Sequence, residues 1–348
     1  MGADVRDRPV PQVPPAARPG RHLDDAGVRR RRRGVRGAAV AAVPDHLALT
    51  APDAASILAR AVPGANPADA RVIGEGWGAT AYRLEDRTIR VLKHQAYAWG
   101  IDAGYAREPA LLTLLAAHGI RAPAHAEAIP DDDGRIAAVM YDYIDGVPVR
   151  ALGRGARAIL AREVGAALTA LHAVPVEEAR ALGVPDIDLG EELYRPMVEA
   201  CLSHLGPRGR EWLEQRFAEF VEGGGSRDAP RVLVHGDLGC GHLLTSDAGL
   251  AGIIDWGDAL IADPAYDLAA LLANCPQSFA EQAINAYEGF VKDDPDMRRR
   301  VAFYVDALPI WQVYYGGDID GGEVRRTGLR RLAARAAAAV RAAGRSSL

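Results

Sequence analysis

The sequence predicts an α+β chain in which a strand-rich part, residues 46–145, precedes a larger and mainly helical part, residues 146–343. Three observations predict it. ARVIGEGWGATAYRLEDRTIRVLKH (residues 70–94) alternates β-like runs with turn residues. Segments of helical spacing dominate from Gly153 onward, and VLVHGDLGCGHLLTSDAGLAGIIDW (residues 232–256) is the one strand-rich interruption among them. At 348 residues and 49% hydrophobic, the chain can bury one large core or two coupled lobes.

Each element follows from its own pattern. TAPDAASILARAV reads as a helix with Pro52 in its first turn. Runs at 70–74, 80–84 and 88–93, separated by a Gly-rich turn and by Glu85-Asp86-Arg87, read as an antiparallel meander. AGYAREPALLTLLAAHG has apolar residues at helical spacing and stops at Gly119. RIAAVMYDYIDGVPV reads as a strand that leaves its sheet at Asp145-Gly146, so the first part is ordered β-β-β-α-β. Helices are expected over 156–173, 191–205, 208–222, 264–274, 279–291, 297–315 and 323–343, with EGGGSRDAP as the most flexible internal loop.

Residues 1–45 are Pro- and Arg-rich without an amphipathic period, which predicts a disordered extension or sequence upstream of the natural start. A secretory signal is the competing reading, since Arg29 to Arg33 precede GAAVAAV, but that apolar region is short. These residues carry ten Arg and five Asp; the remainder holds 31 basic and 41 acidic side chains, a net charge of −10. So acidic a remainder argues against nucleic acid as a partner and favours a cationic one. No apolar run approaches the roughly 20 residues of a membrane span, so no membrane partner is expected. Cys201, Cys240 and Cys275 have neither CxxC spacing nor an even count. They predict neither a zinc site nor a disulfide framework, and a reducing cytoplasmic location.

The chemistry-bearing residues are few. In IGEGWGATAY, Gly74, Gly76 and Gly78 let backbone amides approach phosphate oxygens, although an ordinary hairpin turn has the same composition. A strand follows where a Rossmann or Walker loop has a helix. Lys93 ends the run TIRVLK, and Glu108 opens the next helix. A strand lysine held by a helix glutamate can lie over nucleotide phosphates, while a solvated edge lysine is the plainer alternative. Asp237, in HGDLGCGH after RVLV, can orient an alcohol and accept its proton. Asp255, ending LAGIID, is a hard oxygen donor suited to Mg²⁺. Turn and strand-end capping explain either aspartate equally well in isolation. G-x-S-x-G, HExxH and CxxC are absent, which leaves hydrolase and zinc readings without their central residues.

Taken together, HGDLGCGHLL (235–244), IIDWGDALIADPAYDLAALL (253–272), VLK (91–93), REPALLTLL (107–115) and MYDYIDGVPV (140–149) resemble the antibiotic kinases, that is, the aminoglycoside and macrolide phosphotransferases. The resemblance covers residues 47–340 and implies a bilobal protein-kinase-like fold, with a small lobe built on an antiparallel sheet and a larger helical lobe. It implies ATP or GTP as phosphoryl donor and Mg²⁺ as cofactor. Lys93 would bind the phosphates and Glu108 would hold Lys93. The backbone of residues 141–144, including Tyr141 and Tyr143, would take the purine. Asp237 would be the catalytic residue, His242 and Asp255 the metal ligands, and Asp267 a brace that accepts backbone amides of the catalytic loop. The usual family residue at 242 is Asn; His there is similar to the macrolide and 2″-type aminoglycoside enzymes.

For the acceptor the resemblance points to carboxylates of DIDLGEEL (186–193), with Glu191 and Glu192, to Asp258 and Asp263, and to the stretch 314–323, while Tyr315 can line an apolar wall. The implied reaction is phosphorylation of an antibiotic hydroxyl, on an aminoglycoside first and a macrolide next, by a cytoplasmic monomer or weak dimer. The alternatives are a metabolic kinase of the same fold, acting on choline, homoserine or a fructosamine, and a catalytically dead nucleotide-binding protein.

Overall fold

The protein is seen in a computed structural model that describes residues 51–346 except 77, 94–100, 150–152, 224, 290–293 and 317–321. The expected extension, 1–45, and part of the 314–323 stretch lie outside the described residues.

The first part is built on the predicted meander. Strands β1 (Arg71–Glu75), β2 (Ala79–Leu84) and β3 (Arg87–Leu92) pair antiparallel, and β5 (Ile136–Asp142) and β4 (Glu127–Pro130) complete a five-stranded sheet of order β1-β2-β3-β5-β4. Strand β4 was not anticipated, being four residues at the edge and ended by Pro130, which cannot extend a ladder. Both faces of this sheet are covered. Helix α1 (Ala51–Ala61) places Leu58 and Ala61 on Ile89, Val91, Ala138 and Met140. The opposite face carries Leu92, Val139 and Tyr141 into the main core with Leu111, Leu112 and Leu115 of helix α2 (Ile101–Ala117).

After the short strand β6 (Val147–Pro148) the chain is helical: α3 (Arg154–His172), α4 (Val176–Ala181), a π-helical turn (Leu189–Tyr194) leading into α5 (Arg195–Leu202), and α6 (Pro207–Glu222). Helix α4 is too short to show a period, and the π-helical turn begins the element expected at 191 two residues early. The interruption then supplies β7 (Val232–Val234), β8 (Leu243–Ser246) and β9 (Gly249–Ile253), and β10 (Leu260–Ala262) returns to pair with β7. Helices α7 (Ala265–Asn274), α8 (Gln277–Ala286), α9 (Met297–Tyr315) and α10 (Glu323–Ser346) close the lobe. The aromatic centre of the lobe stacks Phe220 of α6 on Phe303 of α9 with ring centroids 3.9 Å apart, and Trp311 is buried in this core.

Candidate active site

Strand β7 is only three residues long, yet all three are buried, and it delivers the loop 235–242 from a fixed point. Gly236 turns that loop at φ 87°, and a side chain there would collide with the Asp258 carbonyl, so glycine is required twice over. The buried carboxylate of Asp267, in the first turn of α7, accepts the amides of His235 (2.9 Å) and Gly236 (3.1 Å), the bracing expected of it. His172 Nε2 lies 3.2 Å from the same carboxylate, and its Nδ1 is 2.7 Å from the Tyr287 hydroxyl. A relay across three helical segments thus fixes the loop from behind.

Within the loop the two histidines have assigned tautomers. His235 is fully buried, and desolvation pushes its imidazole down to about 4, so the neutral ring accepts the Asp237 amide at Nδ1 (3.3 Å) and donates from Nε2 to the Ile254 carbonyl (3.0 Å). His242 Nδ1 donates to the Asp237 carbonyl at 2.7 Å. Its Nε2 points toward Asp255, 3.5 Å from Oδ2. Asp255 itself sits just past β9 in a left-handed conformation, φ 71° and ψ 61°. One ligating atom each from Asp237, His242 and Asp255 can be chosen so that all lie within 4.8 Å of one another. That spacing and donor set fit a small divalent cation; the one soft donor is His242.

The expected Lys93–Glu108 pair is not formed, and this is a correction. Glu108, fully buried, binds Arg90, whose Nη1 donates to both its oxygens at 2.7 and 2.9 Å, while Arg90 Nη2 reaches Asp255. Lys93 instead pairs with Glu75 and donates to the Gly76 carbonyl at 2.7 Å. The cause is the pleat. Arg90 shares parity with Leu92, on the face toward α2, whereas Lys93, one residue past the strand, falls on the parity of Ile89 and Val91. Lys93 thereby ties down the Gly-rich turn, where the Gly76 amide donates to Ala79 O and the Lys93 amide to Gly78 O, each at 2.9 Å. Gly74 opposes Ala81 at a bulge in β1.

The hinge is partly used by the chain itself. The Asp142 amide donates to Ala124 O (3.0 Å) and the Tyr143 amide to Asp86 O (2.7 Å), so neither serves a purine as expected. The buried Tyr141 side chain lies beside Arg90, and that of Tyr143 lies under Arg83, 3.8 Å from the ring centroid.

Of the acceptor candidates, Asp258 lies against the Gly236 turn of this loop. Desolvation first, then the charges of Asp237 and Asp255, raise the Asp258 carboxyl well above its ordinary range, and Asp258 in turn acts on Tyr315. Glu191 is paired with Arg195 at 2.6 Å, and Glu192 accepts the Asp188 amide at 2.9 Å, so both hold the π-helical turn instead. Asp263 is consumed by Arg300 (2.7 Å) and the Tyr304 hydroxyl (3.0 Å). The cysteine expectation also fails, because Cys240 of the loop is joined in a disulfide to Cys275 just past α7, with Cα atoms 5.2 Å apart.

Residues 69–304 match the APH model, described as the phosphotransferase enzyme family. The chain belongs to this family. Among curated phosphotransferases, an aminoglycoside 3'-phosphotransferase of Escherichia coli is 29% identical over 163 residues, 43% of this chain and 56% of that protein, so the match spans little more than half of its length. Among solved structures, the GDP complex of aminoglycoside 2'-phosphotransferase-IIIa superposes with a TM-score of 0.69 at 25% identity, over 81% of this chain and 97% of that one. A macrolide 2'-phosphotransferase of Brachybacterium faecium superposes at 0.60 with 22% identity, over 80% and 97%. The family fold is the bilobal one described above, and the described residues contain no helix long and apolar enough to cross a membrane.

Proposed function

We propose that this phosphotransferase moves the γ-phosphate of ATP or GTP to a hydroxyl of a cationic antibiotic, an aminoglycoside first and a macrolide second. The observation that carries the reading is the cluster of Asp237, His242 and Asp255, set on a loop braced by Asp267 and flanked by Asp258. His242 and Asp255 would hold Mg²⁺, which supplies charge neutralisation for the phosphates when bound. Asp237 aligns the acceptor hydroxyl and takes its proton as the phosphoryl group transfers. The Gly-rich turn, tied to β3 by Lys93 through Glu75 and the Gly76 carbonyl, would lie over the phosphates. An ammonium group of the acceptor would draw a proton from the Asp258 carboxyl, which burial and the charges of Asp237 and Asp255 hold above its ordinary range, and the acidic balance of the chain attracts such a substrate. The relatives at 25–26% identity include a complex with GDP and one with GDP and kanamycin, which supports an aminoglycoside acceptor.

The test is a nucleotide-consumption assay with Mg²⁺ over aminoglycosides, macrolides and amino alcohols, with mass spectrometry of the product. The expected result is an aminoglycoside heavier by one phosphoryl group, with Asp237→Ala slower by roughly a hundredfold or more. Turnover of choline or a sugar amine with none of the antibiotics would establish the metabolic-kinase reading instead. Equal background consumption by wild type and Asp237→Ala with every acceptor would remove the enzyme reading. His242→Asn should keep activity and shift preference toward harder cations.

A further inference from the structure

Asp255 stands in the left-handed backbone region, φ 71° and ψ 61°, which a residue bearing a Cβ seldom adopts. It persists only where its surroundings hold it. His242 Nε2 faces one carboxylate oxygen at 3.5 Å, and Arg90 Nη2 binds the other. The same guanidinium grips both oxygens of Glu108 and lies over the Tyr105 ring at 4.5 Å, with the Tyr141 side chain beside it. The Trp256 amide, next to Asp255 in sequence, lies beside the Glu108 carboxylate and favours its charge. One turn earlier in α2, Gly104 lies so close to the Gly257 carbonyl that any side chain there would collide with it. Strand β3, helix α2 and the turn carrying Asp255 are therefore clasped as one unit, with Arg90 at its centre.

Arg90 is poorly placed to bind substrate. Its side chain is 9% exposed, and Nη1 and Nη2 are each engaged by a carboxylate. A lysine could not replace it, because one ammonium on a flexible stem lacks the rigid fork that spans both carboxylates.

We propose that Arg90 is a positioning residue of the phosphoryl-transfer site. It fixes the direction of the Asp255 carboxylate toward the divalent cation and couples that direction to helix α2, without touching the nucleotide. The proposal rests on the metal-dependent phosphotransferase reading above. It differs from the sequence expectation, in which the cation held by Glu108 lies on the phosphates.

The test is calorimetric titration of Mn²⁺ into protein saturated with a non-hydrolysable nucleotide, alongside nucleotide binding without metal. Arg90→Lys is expected to weaken Mn²⁺ binding by roughly 10–100-fold and to leave metal-free nucleotide binding unchanged. Glu108→Gln, which keeps Arg90 but loosens its far anchor, is expected to move Mn²⁺ binding in the same direction, and it carries the test if Arg90→Lys does not fold. Unaltered Mn²⁺ binding in the variant would overturn the proposal. So would a parallel loss of metal-free nucleotide binding, which would make Arg90 a phosphate ligand. Arg90-dependent Mn²⁺ binding in a protein that phosphorylates no antibiotic keeps the proposal and removes the acceptor reading. A wild type that binds nucleotide but no divalent cation overturns both.

Discussion

Asp267 illustrates how one side chain can define a loop. Two backbone amides and His172 converge on a carboxylate with no exposed surface. Burial raises its pKa, but the His172 hydrogen bond, the two histidines and the amides outweigh burial and hold it below the ordinary value. In Asp267→Asn one amide would face an NH₂ group, leaving a buried donor unpaired at about 1–3 kcal/mol, with a fall in kcat as Asp237 loses its fixed position. The pH dependence has a definite sign. A folded pKa below the unfolded value of about 3.9 means that the unfolded chain binds more protons in between. The stabilisation is then complete above about pH 4 and is lost as pH falls through the folded value. Urea unfolding of wild type and Asp267→Asn at pH 7, 5 and 3.5 checks this: the difference between the two should shrink at the lowest pH. The HxD pattern and Asp267 were legible because they lie close together in sequence or repeat a family motif. Arg90 was not, because β3 is covered on both faces and reads as uniformly buried, which erases the alternation that would show which cation points inward.

At the scale of elements, α7 holds the loop 235–242 at both of its own ends, through Asp267 in its first turn and through the Cys240–Cys275 disulfide past its last. Neither a count of three cysteines nor the 35-residue separation of this pair announces the bond, since only folding brings the loop and the helix end together. Closing a loop of that length should stabilise the fold by up to about 4 kcal/mol. Reduction, or Cys275→Ser, should lower the thermal midpoint. Thiol titration of the unreduced protein should find one reactive thiol after unfolding and none before, because Cys201 is buried and desolvation pushes its thiol up to about 12. A full set of reactive thiols in the unreduced, unfolded protein would show the pair to be open. The short elements β4 and α4 escaped the sequence for a different reason: four and six residues are too few to display a period.

At the scale of the molecule, the sheet-based lobe and the helical lobe meet where Glu108 and Gly104 of α2 touch the turn after Asp255. A nucleotide bound between them with its cation should stabilise both as one cooperative unit. At a hundred times its Kd such a ligand adds about 2.7 kcal/mol. Differential scanning calorimetry should show a further rise of the midpoint when Mg²⁺ is added to nucleotide. That increment should vanish in Asp255→Asn while the effect of nucleotide alone remains; an undiminished increment would place the metal elsewhere.

The sequence by itself determined the α+β order, the meander, most of the long helices and the motif residues Asp237, His242, Asp255 and Asp267, because these depend on local period, turn chemistry and short spacing. Tertiary structure decided which strand cation meets Glu108, which carboxylates remain for an acceptor, and that Cys240 meets Cys275. Those outcomes depend on which face of a doubly covered strand points inward and on contacts between segments far apart in the chain. Asp237 and Asp255 were visible as residues; their shared site exists only once α2, α7 and the β7 loop are packed together.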